Sequence, residues 1–140
     1  MRGAVMSLIT WSHACTVGVK AMDDQHGNLM DTLNELRLML LRSSAHEEVN
    51  EQLERLVQFT SLHFESEEQL LEQNGYPGLP EHRIAHRRLL SEIRRTVDRA
   101  EQSSHVAIGP LLVFLRDWYL NHIEGLDQQY GAWLNERGIF

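Results

Sequence analysis

Apolar residues recur along this chain at steps of three and four in four separate stretches, the spacing of amphipathic helices. The first, about Met22–Arg42, carries a seam of His26, Leu29, Leu33, Leu36 and Leu40. The second, about Ala45–Asn74, carries Leu53, Leu56, Thr60, His63, Glu67 and Leu70, and Ser44 and Glu47 are spaced as a capping box at its start. Gly75 ends it, and Pro77, Gly78 and Pro80 mark the connection. The third starts near Pro80, a residue favoured in a first helical turn, and its seam is His82, His86, Leu89, Ile93, Val97 and Ala100. The fourth starts between Ser104 and Pro110 and carries Leu111, Leu115, Trp118 and His122. Gly125 is expected to fray or end it. Four such helices with short connections predict an all-α, up-down-up-down four-helix bundle, and no β-hairpin signal competes. The expected organisation is one domain over 1–140, with an irregular arm at 1–21, the bundle at about 22–127 and a tail at 128–140.

Each seam is interrupted by histidine. A single seam histidine is more often a packed, hydrogen-bonded core residue than a ligand, but four helices carry one here. Buried imidazoles and carboxylates cost on the order of 1–3 kcal/mol for each unpaired polar group unless something satisfies them. Position sharpens the argument. His26 opens the first helix, His63 is near the end of the second, His82 and His86 open the third, and His122 is near the end of the fourth. In an up-down-up-down bundle all four places lie at one end. His63 and Glu67 are four apart, as are His82 and His86, so each pair shares a helix face. His122 and Asp127 are five apart, and Asp127 is expected to reach the same place only if the helix ends near Gly125 and the chain curls back. Nitrogen and carboxylate donors without a thiolate suit iron. Two irons with a bridging oxo or hydroxo group, five imidazoles and two bridging carboxylates fill all but one coordination position, leaving room for one small ligand. His13, His46 and His105 fall outside the pattern and read as surface or capping residues. Glu68 and Glu124 turn off the seam and read as solvated or supporting groups.

Composition narrows the function. The formal net charge of -7 and the lack of a basic cluster exclude a typical nucleic-acid binder. Arg87-Arg88 and Arg94-Arg95 read as solvated helix faces. The single cysteine, Cys15, allows neither an internal disulfide nor a thiolate metal site. A cytoplasmic location is expected, with no signal peptide and no membrane span.

The fragments Asp24-Gln25-His26, His63-Phe64-x-x-Glu67-Glu68, His82-x3-His86 and Trp118-x3-His122-Ile123-x3-Asp127 resemble the hemerythrin family, specifically its single-domain bacteriohemerythrins. The resemblance spans Trp11 to about Tyr130; myohemerythrin is itself one of the reference four-helix bundles. It implies reversible dioxygen binding at a non-haem di-iron centre cycling between Fe2+ and Fe3+. His82, His86 and His122 would hold one iron, His26 and His63 the other, and Glu67 and Asp127 would bridge. Leu29, Phe64, Trp118, Tyr119 and Ile123 would line the dioxygen pocket. Family members often carry an aliphatic residue where this chain has Tyr119. That phenol would hydrogen-bond to bound oxygen, admit water, or pack away from the pocket, and packing is the expected reading.

The expected role is therefore dioxygen storage, delivery or sensing rather than catalysis, with an unidentified protein as acceptor of the oxygen. The alternatives are a di-iron oxidase or ferroxidase, or a peroxide- or NO-consuming enzyme. Carboxylate di-iron oxidases usually carry Glu-x-x-His on two helices, and the chain contains none. A mononuclear zinc hydrolase motif, His-Glu-x-x-His, is also absent.

Overall fold

The computed structural model describes residues 8–12, 15–102 and 108–140. Four helices form the bundle: α1 (Lys20–Leu41), α2 (His46–Gln73), α3 (Leu79–Gln102) and α4, described over Ile108–His122. Each packs on the next, and α1 packs on α4, which closes the ring. The predicted seams face inward. Leu33, Leu36, Leu53, Leu56, Leu89, Ile93, Val97 and Leu115 are all almost completely buried and form the dry core. Leu40 and Leu70 are only half-buried, and their neighbours Met39 and Leu71 take the inner positions.

Local chemistry explains the helix ends. Gly75 follows α2 with φ +70°, the left-handed conformation that stops a helix without a Cβ penalty. The N–H of Tyr76 then reaches back to the carbonyl of Leu71. Pro80 is the second residue of α3, where its missing N–H costs nothing. The capping box falls one residue later than expected. Ala45, not Ser44, precedes α2, and its N–H donates to Glu48 Oε1 at 3.3 Å. Ala45 has no side-chain oxygen, so only half of the box exists. His46 opens α2 on the surface. His13, His105 and the residues where α4 was expected to begin lie outside the described residues.

The largest difference from expectation is at Gly125. The helix does not end there. It passes through a single π turn, Ile123–Asp127, and continues as α5 (Gln128–Asn135). A π turn adds one residue to the helical circuit. Residues five apart then share a face, as residues four apart do in an α-helix. His122 and Asp127 therefore point the same way without any curling back. The expected tail is thus helical in its first part, and it buries Tyr130, Gly131 and Leu134.

The arm packs across α5. Gly131 is required there, because a Cβ would lie 2.0 Å from the carbonyl oxygen of Val17. Asp23 accepts from the N–H groups of Val17 and Gly18, Gln128 donates to the carbonyl of Thr16, and Asn135 donates to the carbonyl of Gly18. Residues 16–18 thus hold α5 in place, and α5 carries Tyr130 to the histidine-bearing end of the bundle. No helix among the described residues is long and apolar enough to cross a membrane.

Candidate metal centre

All seven residues of the predicted set come together, and each is at least 92% removed from solvent. They form two groups of donor atoms: Glu67, His82, His86 and His122 in one, and His26, His63 and Glu67 in the other. The carboxylates join the groups. Glu67 Oε1 lies 3.1 Å from the Nε2 atoms of both His82 and His86. Its other oxygen, Oε2, lies 3.5 Å from His26 Nε2 and 3.4 Å from His63 Nε2. Asp127 repeats the division. Its Oδ1 is 2.8 Å from His82 and 3.0 Å from His122, while Oδ2 is 3.3 Å from His26. Each carboxylate thus offers one oxygen to each group of histidines.

Supporting residues aim the imidazoles. His63 Nδ1 donates to Gln25 Oε1 at 2.6 Å, and the Gln25 amide donates in turn to Ser66. His86 Nδ1 donates to Glu68 Oε2 at 2.7 Å, and Arg83 holds Glu68 at 3.4 Å. A donor bond at Nδ1 leaves Nε2 as the free lone pair, turned inward. Glu68 is therefore one of the supporting groups, whereas Glu124 is exposed.

These residues fit a metal. The buried Nε2 atoms of His26, His86 and His122 make no hydrogen bond of good geometry, despite carboxylate oxygens at 3.0–3.5 Å. Buried polar atoms are normally paired. Orphaned ring nitrogens that converge on shared carboxylates are what cations between them would satisfy, whether metal ions or, in their absence, protons.

A model of the hemerythrin HHE cation binding domain matches residues 17–134. The chain belongs to the hemerythrin family. Two relatives named bacteriohemerythrin agree over most of their length. The one from Stenotrophomonas maltophilia is 30% identical over 125 residues, covering 89% of this chain and 80% of its own. The one from Methylococcus capsulatus is 29% identical over 131 residues, 93% of this chain and 99% of its own. A crystal structure of wild-type hemerythrin superposes with a TM-score of 0.74 at 28% identity, covering 90% of this chain and 97% of that one. A leucine-to-tyrosine variant of hemerythrin superposes at 0.76 with 30% identity, covering 91% and 97%.

The electrostatics of this hemerythrin centre are those of a tightly paired cluster. Burial works against charge on His26 and His82, but Asp127 and Glu67 overcome it and raise both imidazoles to about 9. Burial works against charge on Glu67 too, and the imidazoles of His26, His63, His82 and His86 hold it well below the ordinary range. Burial and the negative charge of Glu67 push Asp127 up, and His122, His26 and His82 more than reverse that. Two positive imidazoles thus balance two negative carboxylates where cations would otherwise do so.

The residues expected to line a ligand pocket divide in two. Leu29, Phe64, Tyr119 and Ile123 are buried, while Trp118 is only half-buried. Phe64 stacks on His86 at 3.7 Å and Trp118 on His122 at 4.2 Å, so both rings wall the three-histidine side. Tyr119, not Trp118, takes the inward seam position of α4. Its hydroxyl pairs with Thr60 Oγ1 at 3.1 Å, and burial raises its pKa.

Two supporting residues escaped the sequence reading, Gln25, which accepts from His63, and Tyr130. Tyr130 is fully buried and donates to Glu67 Oε2 at 2.6 Å. Its position follows from the π turn, because α5 continues the face that carries Asp127. The spacing Asp127-x-x-Tyr130 was the available signal, and assigning the segment to a tail concealed it.

Proposed function

We propose that the chain binds dioxygen reversibly at a pair of iron ions. His82, His86 and His122 would hold one iron, His26 and His63 the other, and Glu67 and Asp127 would be shared between them. The observation that carries this reading is the division of both carboxylates, each with one oxygen toward the His82–His86–His122 group and the other toward the His26–His63 group. Iron in this setting supplies electrons to a small ligand and takes them back on release.

The protein supplies everything else. Gln25 and Glu68 fix the imidazoles of His63 and His86 in the orientation that presents Nε2. Tyr130 orients Glu67. With three histidines in one group and two in the other, a small ligand would find room on the His26–His63 side. Leu29, Tyr119 and Ile123 keep bulk water away, which slows escape of reduced oxygen and loss of the active ferrous form. The pairing of Tyr119 with Thr60 occupies the phenol and favours the packing role for that residue.

The test is to load the chain with ferrous iron without air, then admit and remove oxygen repeatedly. A visible absorption that rises and falls with each cycle is expected. Irreversible oxidation with turnover of an added reductant would favour the oxidase reading. No response to oxygen would overturn both.

A further inference from the structure

Tyr130 is the first of three aromatic residues that lead from the centre toward solvent. Its hydroxyl donates to Glu67 Oε2 at 2.6 Å, and its ring centroid lies 5.4 Å from that of His82. The Tyr76 ring meets Tyr130 edge-on at 6.4 Å, and Trp133 meets Tyr76 edge-on at 5.3 Å. Trp133 is half-buried, and Arg137 covers one face of it at 3.5 Å. Gly78 leaves room for the middle ring, since a Cβ there would lie 2.7 Å from Tyr76 Cε2. Packing accounts for three rings in contact. The hydrogen bond that orients Glu67 also sets an oxidisable phenol against the carboxylate shared by both histidine groups. Tyrosine and tryptophan are also the ring side chains that lose an electron most readily.

We propose that Tyr130, Tyr76 and Trp133 form a relay that carries a single oxidising equivalent from the metal centre to the surface when hydrogen peroxide reacts at ferrous iron. The relay rests on the di-iron reading above. Breaking the O–O bond of peroxide to give one water and one hydroxide takes two electrons and one proton. Bound ferrous iron would supply one of the two electrons. The Tyr130 phenol gives the second electron and the proton, and becomes a phenoxyl radical. The hydrogen bond to Glu67 gives that proton an immediate path. Tyr76 then passes an electron to Tyr130, which takes a proton back through Glu67 from the water formed at the centre, leaving a second hydroxide, while the Tyr76 proton goes to solvent. Trp133 repeats the step and loses its indole proton to water. A one-electron reductant of the thiol or ascorbate class restores Trp133. The relay keeps the oxidising equivalent off the ligand histidines.

The experiment loads the full chain anaerobically with ferrous iron, confirms the metal content, and adds one equivalent of hydrogen peroxide. Freeze-quenched samples are read by electron paramagnetic resonance, and oxidised residues are mapped by mass spectrometry. In the native chain, oxidation is expected at Trp133 and Tyr76. Trp133→Phe should leave a longer-lived tyrosyl signal. Tyr76→Phe should reduce Trp133 oxidation several-fold and increase oxidation of the ligand histidines. Oxidation of Trp133 that is indifferent to Tyr76→Phe, or that falls on Trp118 instead, would overturn the relay. If the chain takes up no iron, the di-iron reading fails at the metal assay. The outer step is then tested in the metal-free chain, where flash-generated tyrosyl radicals should decay with the appearance of a Trp133 radical. A Trp133 radical that forms equally fast in Tyr76→Phe would overturn the relay there too.

Discussion

Glu68 and Gln25 do the same job for different histidines with different charge. Glu68 accepts from His86 as a carboxylate held by Arg83, whereas Gln25 accepts from His63 as a neutral amide. Such outer partners typically contribute about 10–100-fold in metal affinity. Glu68→Gln should therefore weaken metal binding at the three-histidine group by about 10-fold or more, read by competition with a chelator. An unchanged affinity would mean that Glu68 does not orient His86. Tyr119 is a second case at this scale. Its hydroxyl and that of Thr60 are buried partners at 3.1 Å. Tyr119→Phe leaves the Thr60 hydroxyl unpaired and should cost about 1–2 kcal/mol in chemical denaturation. A variant as stable as the parent would show that the bond contributes nothing net.

At the scale of elements, the π turn sets the geometry of the centre. It brings Asp127 onto the face of His122 although the two are five residues apart. One alanine inserted after Gly125 should turn Asp127 and Tyr130 by about 100° away from the other ligands, because each α-helical residue advances by that angle. Metal content should fall sharply in that variant. Deleting Gly125 should do far less, since it converts the turn to plain α-helix with His122 and Asp127 four apart, the spacing that His63 and Glu67 already use. Equal metal content in the inserted and parent chains would contradict this account. The same turn marks the limit of what the sequence disclosed. The helix seams, their histidines and the stop at Gly75 were legible, because periodicity and a glycine C-cap are local signals. The continuation through Gly125 was not, because a π turn has no local signature and glycine usually reads as a break. Tyr130 was lost with it. The swap of Trp118 for Tyr119 at the inward position was equally hidden, since both rings satisfy an apolar pattern.

Over the whole molecule, the centre couples protonation, metal and stability. His26 and His82 stand at about 9 in the fold, above their ordinary 6.5. A raised imidazole pKa means that folding favours the protonated form. Its stabilisation is complete below about 6.5 and is lost as pH rises through about 9. Glu67 and Asp127 are shifted down, so their contribution is complete above about 4.5 and is lost on acidification. The metal-free chain should therefore melt highest between about pH 4.5 and 6.5 and lose thermal stability toward pH 9. Metal needs the same imidazoles unprotonated, so the stabilisation gained on loading should grow over that upper range. A melting temperature of the metal-free chain that stays flat from pH 6.5 to 9 would contradict the paired cluster described here. The central claim, reversible dioxygen binding at an iron pair, is tested most directly by gas uptake. Ferrous-loaded chain of known iron content is equilibrated with oxygen, and the gas bound and then recovered under vacuum is measured. The account predicts one dioxygen taken up for every two irons and nearly all of it recovered. Uptake that is consumed without recovery, or no uptake by fully loaded protein, would contradict it.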